Sequence, residues 1–185
     1  MDEKKCCFIG HRTINLSDEL IAKVLTTIEE LIIDYNVKRF LFGSRSEFDA
    51  LCHDVVTQLK DKYPSIVRVA YNTSNECPTL EKDRAEEEKK ISELIKQDIH
   101  LMGYEEVCTP VEMYSSGKAS YVERNYKMID DSDICVFYYD SSYSPKRKCI
   151  SRKSVSGLWT SEKSGTSLAY KYATKKKKQI INIFE

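Results

Sequence analysis

Short, almost wholly apolar runs alternate along this chain with longer segments whose apolar residues recur every three or four positions, and this alternation restricts the fold more than any other feature. Residues 5–9 read as a fully buried strand. Ser17 then stands as an N-cap before Leu20, Ile21, Val24, Leu25, Ile28, Leu31 and Ile32, which share one helical face. Residues 38–42 form a second strand, followed from Ser46 by an amphipathic run through Phe48, Leu51, Val55, Val56 and Leu59 that stops near Tyr63-Pro64. Residues 65–71 give a third strand. Apolar strands linked by helices predict parallel pairing and right-handed crossovers, an α/β, Rossmann-like fold with a mostly parallel sheet and helices on both faces.

The rest of the chain continues the pattern. Residues 81–97, with Glu86-Glu87-Glu88-Lys89-Lys90, read as a helix with a solvated charged face, and residues 104–109 as a fourth strand. A helix over 121–129, a strongly apolar strand over 134–139, a helix opening at Gly165-Thr166-Ser167 and a strand over 179–184 complete it. With 185 residues and 41% hydrophobic content, one core is expected, hence a single domain over 1–185. The segment between Asp140 and Ser164 has no periodicity, and a loop of that length in a compact domain is usually functional or disordered.

Composition narrows the function. Lys plus Arg and Asp plus Glu both number 29, so no overall field draws the chain to nucleic acid. No apolar stretch approaches the roughly 20 residues of a membrane span, and the N-terminus lacks the apolar core of a signal peptide. A cytoplasmic protein with no membrane partner is therefore expected. The seven cysteines are scattered without a C-x-x-C pair, and His11, His53 and His100 form no helical pair. No metal or cofactor is expected, and Cys6, Cys7, Cys108 and Cys135 read as small buried hydrophobes.

Three of the six glycines sit where an apolar run ends or a helix opens: Gly10, Gly43 and Gly165. A strand that stops at glycine and hands over to a helix gathers backbone N–H groups at one spot, which suits an anion. Gly10-His11-Arg12 adds a planar guanidinium and an imidazole; Gly43-Ser44-Arg45 adds a hydroxyl and a second arginine; Gly165-Thr166-Ser167 adds hydroxyls. Asp49, one turn into the second helix, could accept from ribose hydroxyls or simply stabilise the helix N-terminus. Arg124 and Asn125 could contact a ligand or fix the loops around it. Asp130, Asp131 and Asp133 read as turn and cap residues.

Together these segments, with Met128-Ile129-Asp130 ahead of the apolar fifth strand and Ala169-Tyr170 and Tyr172-Ala173 ahead of Ile180-Ile181-Asn182, resemble the YpsA/YspA-type branch of the SLOG superfamily. The resemblance runs through nearly the whole chain. That superfamily is Rossmann-like and includes the DNA-processing protein DprA, cytokinin-activating LOG phosphoribohydrolases and sensor domains for nucleotide-derived signals. It implies a site for a nucleotide or an ADP-ribose- or NAD-like ligand at the carboxyl ends of the strands, and a homodimer. One departure stands out: the LOG segment P-G-G-x-G-T-x-x-E ends in a glutamate, and Ala169 stands there instead. The second segment keeps Gly43 but not the repeated glycines of typical members.

The first functional expectation is thus a binding protein, with Gly10, His11, Arg12, Gly43, Ser44, Arg45, Asp49, Arg124, Asn125, Gly165, Thr166 and Ser167 around the ligand and Lys146, Arg147 or Arg152 closing over it. The alternative is an N-glycosidic bond hydrolase, phosphoribohydrolase-like, with Asp49, Glu123 or Glu47 as the catalytic carboxylate. A third, single-stranded DNA binding by the basic stretch 146–153 beside Tyr143 and Trp159, is disfavoured by the zero net charge.

Overall fold

The computed structural model describes residues 2–43, 46–72, 103–108, 118–143 and 164–184. The expected helix over 81–97, and with it Ser44, Arg45, Lys146, Arg147, Arg152 and Trp159, lies outside them. In chain order the elements are β1 (Lys4–Gly10), α1 (Asp18–Ile33), β2 (Val37–Phe42), α2 (Glu47–Lys62), β3 (Val67–Tyr71), β4 (Glu106–Cys108), α3 (Lys118–Asp131), β5 (Ile134–Tyr138), α4 (Gly165–Lys175) and β6 (Gln179–Asn182).

The six strands form one sheet in the order β4-β3-β2-β1-β5-β6, and every pairing is parallel. Strand β1 lies at the centre, with Cys7 in register with Leu41 on one side and with Cys135 on the other. Covered on both faces, its residues 6–9 are all buried, which is why they read as an unbroken apolar run. Alternate residues feed two cores. Cys6, Phe8, Phe40 and Phe42 pack beneath α1 and α2, with Phe8 stacked 5.2 Å from Phe42 and 5.9 Å from Phe40. Cys7, Ile9, Leu41, Cys135 and Phe137 pack beneath Met128 and Ile129 of α3 and Ala169 and Ala173 of α4. Helices therefore cover both faces of the sheet.

Local chemistry sets the helix starts. The Ser17 hydroxyl accepts from the Leu20 amide at 3.2 Å with Asp18 and Glu19 in the first turn, and the Ser46 and Ser164 hydroxyls cap α2 and α4 in the same way. Helix α2 ends at Tyr63, because Pro64 follows. Two details differ from the sequence reading. Leu25, assigned to the apolar face of α1, is 37% exposed at its margin, and Cys108 is only half-buried because β4 is a three-residue edge strand. Among the described residues no helix is long and apolar enough to cross a membrane.

Candidate functional site

Strand order changes direction between β1 and β5: connections from β1 run outward through β2, β3 and β4, while β5 leads to β6 on the other side. At such a switch point the loops leaving two adjacent strands part and open a crevice beyond their carboxyl ends, where ligands of open α/β sheets bind. Here the loops leaving β1 and β5 are joined at that point by His11.

The His11 amide extends the β1/β5 ladder by donating to the Tyr138 carbonyl at 3.3 Å. Its ring turns toward β5, where Nε2 lies 3.0 Å from the Asp140 amide nitrogen and 3.3 Å from the Asp140 carbonyl oxygen, and its face stacks on Tyr143 with centroids 3.9 Å apart. The ring is buried, and burial lowers the His11 pKa against the opposing effects of the Asp140 backbone and charge, which favours the neutral imidazole. The Asp140 carboxylate accepts from the Ser142 hydroxyl at 2.6 Å and its amide at 2.7 Å, bonds that depress its pKa and close the turn presenting Tyr143.

Helix α4 opens against the same place. The Thr166 hydroxyl donates to the Gly10 carbonyl at 2.9 Å, tying the first turn of α4 to the end of β1. In that turn Ser167 and Leu168 amides donate to the Ser164 hydroxyl and carbonyl, and no acidic residue opposes the dipole. Gly165 is exposed, and a Cβ built on it meets no atom of the described residues within 4 Å. Among the described residues nothing fills this helix start, and its dipole suits an anion.

The start of α2 is different. The Glu47 amide donates to the Arg12 carbonyl at 2.9 Å, the Asp49 amide to the Ser46 hydroxyl, and the Ala50 amide to the Ser46 carbonyl. Glu47 reaches back to accept from the Ile14 amide at 3.0 Å, so this carboxylate fixes the loop after β1. With Glu47 and Asp49 in its first turn, α2 already has its dipole compensated by acids.

The glycines diverge accordingly. A Cβ on Gly10 would stand 2.5 Å from the Phe48 Cβ, and one on Gly43 would stand 2.4 Å from the Met128 sulfur and 2.9 Å from Arg124 Nε. Both are required for close packing of α2 and α3 on the sheet. Neither has a positive φ; among the described glycines only Gly103 does, at 83°.

Of the remaining expected residues, Arg12 is exposed at the mouth, while Arg124 is buried with its guanidinium 5.2 Å from the Tyr121 ring and its stem against Gly43. Asn125 is buried beside it on α3, and Glu123 is half-buried. Asp49 is buried in α2, where its charge, after burial itself, raises the pKa values of Cys52 and Tyr104. Ala169 is buried in the second core, so the position of the missing glutamate is a packing position. Neither the protein-family models nor the curated proteins compared with this chain match it. The site thus stands on its own geometry.

Sequence reasoning passed over two participants at the switch point. One is the Asp140 backbone with its stacked Tyr143. The other is Asn182, whose side-chain amide pairs with both backbone groups of Tyr139 at 3.0 Å. Asp140-Ser141-Ser142 is a turn-forming pattern that signals the first. Nothing local in Ile180-Ile181-Asn182 signals the second.

Proposed function

We propose that this protein binds a nucleotide-derived small molecule, AMP-, NAD- or ADP-ribose-like, in the crevice between the carboxyl ends of β1 and β5. One observation carries the reading: the N-terminus of α4, with no acid in its first turn and tied by Thr166 to Gly10, lies beside the switch-point loops that His11 joins. Such a helix start suits a phosphate, and Arg12 stands exposed at the mouth to meet further charge. Membership of the YpsA/YspA-type branch of the SLOG superfamily, with its implied dimer, belongs to this same proposal and rests on the motif residues Gly10-His11-Arg12 and Gly165-Thr166. The buried Ala169 favours recognition over LOG-type catalysis.

Thermal unfolding with AMP, NAD or ADP-ribose tests the proposal. A ligand at 100 times its dissociation constant adds about 2.7 kcal/mol, which for a chain of this size raises Tm by roughly 5–10 °C. No shift with any of the three at millimolar concentration rejects it. The buried Asp49 supports a second reading, hydrolysis of an N-glycosidic bond, since catalytic carboxylates are commonly tuned by burial. Release of free base from AMP or nicotinamide from NAD, abolished in Asp49→Asn, would establish it; absence of release would leave binding alone.

A further inference from the structure

Within the proposed site the backbone around Asp140 bears on which nitrogen of His11 carries the proton. His11 Nε2 lies 3.0 Å from the Asp140 amide nitrogen and 3.3 Å from the Asp140 carbonyl oxygen, and the two contacts call for opposite tautomers. The amide can only donate, whereas the carbonyl already accepts from the Tyr143 amide at 3.2 Å, so a lone pair on Nε2 satisfies the shorter contact and leaves no two donors facing each other. A neutral imidazole carries a single proton, which must then sit on Nδ1. Nδ1 is buried and has no hydrogen-bond partner among the described residues. A buried donor without an acceptor is disfavoured in folded proteins, and each instance calls for a reason.

The surroundings supply that reason. Tyr143 covers one face of the ring, Tyr139 lies tilted at 6.0 Å, and the Asp140 carboxylate is engaged with Ser142. The adjoining Gly10 carbonyl takes the Thr166 hydroxyl, which brings the first turn of α4 beside His11.

We propose, resting on the binding reading above, that His11 determines ligand specificity as a fixed donor: held as the Nδ1–H tautomer by the Asp140 amide, it donates to an anionic oxygen of the ligand seated at the start of α4. A donor of fixed direction accepts a phosphate or carboxylate oxygen and refuses an amine or amide N–H in the same place, because two donors would then face each other without an acceptor. Specificity at this point comes from the tautomer.

Two substitutions separate donation to the ligand from support of the loop. In His11→Asn the side-chain amide nitrogen takes the place of Nδ1 and cannot reach Asp140. In His11→Gln the side-chain oxygen can accept from Asp140, and no donor stands at the Nδ1 place. Titration calorimetry with AMP and ADP-ribose should show His11→Gln weakened roughly ten- to hundred-fold and His11→Asn weakened less. Gln retaining the wild-type affinity while Asn loses it overturns the donor role and leaves His11 as loop support.

The ring nitrogens of the isotopically labelled wild type give a readout free of any folding defect in the variants. Long-range ¹⁵N–¹H correlation should show Nδ1 protonated and Nε2 bare at pH 7.5, with the Nδ1 resonance moving on addition of AMP. A protonated Nε2 overturns the proposal, as does an Nδ1 resonance unmoved by a nucleotide that binds. Failure of both nucleotides to bind the wild type rejects the site reading itself, while binding that survives intact in His11→Gln rejects only the donor role.

Discussion

At the scale of single residues, the three glycines that looked alike in the sequence have different tasks, and substitution should separate them. Gly10→Ala drives a methyl into Phe48 Cβ, an atom on a packed helix that cannot swing aside. Overpacking of that kind costs about 1–3 kcal/mol, so urea unfolding should show a lowered midpoint with little change in slope. Gly165→Ala adds its methyl to open space at a helix start, and stability should stay within about 0.5 kcal/mol of wild type. Its AMP affinity should nonetheless fall, because the methyl occupies the approach to the α4 amides. Unchanged affinity in a stable Gly165→Ala would place the phosphate elsewhere. The sequence located the glycines but not their roles: Gly10 is needed because of Phe48, a residue in another element, and no local pattern carries that contact.

At the scale of elements, the short edge strand β4 depends on an ion network at the amino end of the sheet. Glu105 accepts from the Arg68 amide at 2.7 Å and from its guanidinium at 2.5 and 3.2 Å, while Lys60 lies 3.1 Å away. Arg68 is buried and also donates to Thr57 on α2 at 2.7 Å, so one arginine links α2, β3 and the start of β4. Glu105→Ala leaves that guanidinium short of its acceptor and should cost about 1–3 kcal/mol, a value reduced from the fully buried case by the partial exposure of Glu105. In a double-mutant cycle with Arg68→Ala, the two losses should be clearly less than additive; additive losses would show that the pair does not hold the edge. The sequence announced a strand over 104–109; Glu106–Cys108 forms, paired with β3 among the described residues, and Glu105 ahead of it is given over to Arg68. Central elements were legible because burial on both faces enforces their periodicity. The edge was not, because contacts outside the strand decide it.

For the whole molecule, the layering of helices on both sheet faces followed from the alternation of apolar runs, whereas the switch point between β1 and β5 emerged only with the strand order, which depends on non-local pairing. The same assembly sets the response to acid. His11 is held below its usual pKa by burial, and His53 by burial and then by Arg68, against opposing effects of Asp140 and Asp54. Among the described residues Tyr143 and Tyr139 also lie beside His11, and Tyr104 beside His53. The unfolded chain takes up protons at these histidines near pH 6.5 while the folded chain resists, so stability should begin to fall as pH drops below about 6.5. Glu105 adds a second, lower step. Burial alone would raise its pKa, but hydrogen bonds from Arg68 and Lys60 prevail and bring it to about 2. Its contribution is complete above the unfolded carboxylate range near about 4.3 and is lost as pH falls toward the folded value. Urea midpoints between pH 8 and pH 3 should therefore descend in two stages, the upper one shallower in His53→Gln and the lower one reduced in Glu105→Gln. A midpoint that stays level from pH 7.5 to pH 5.5 would mean that the two histidines take up protons as readily in the folded chain as in the unfolded one, and burial at the switch point would then lack the strength assigned to it.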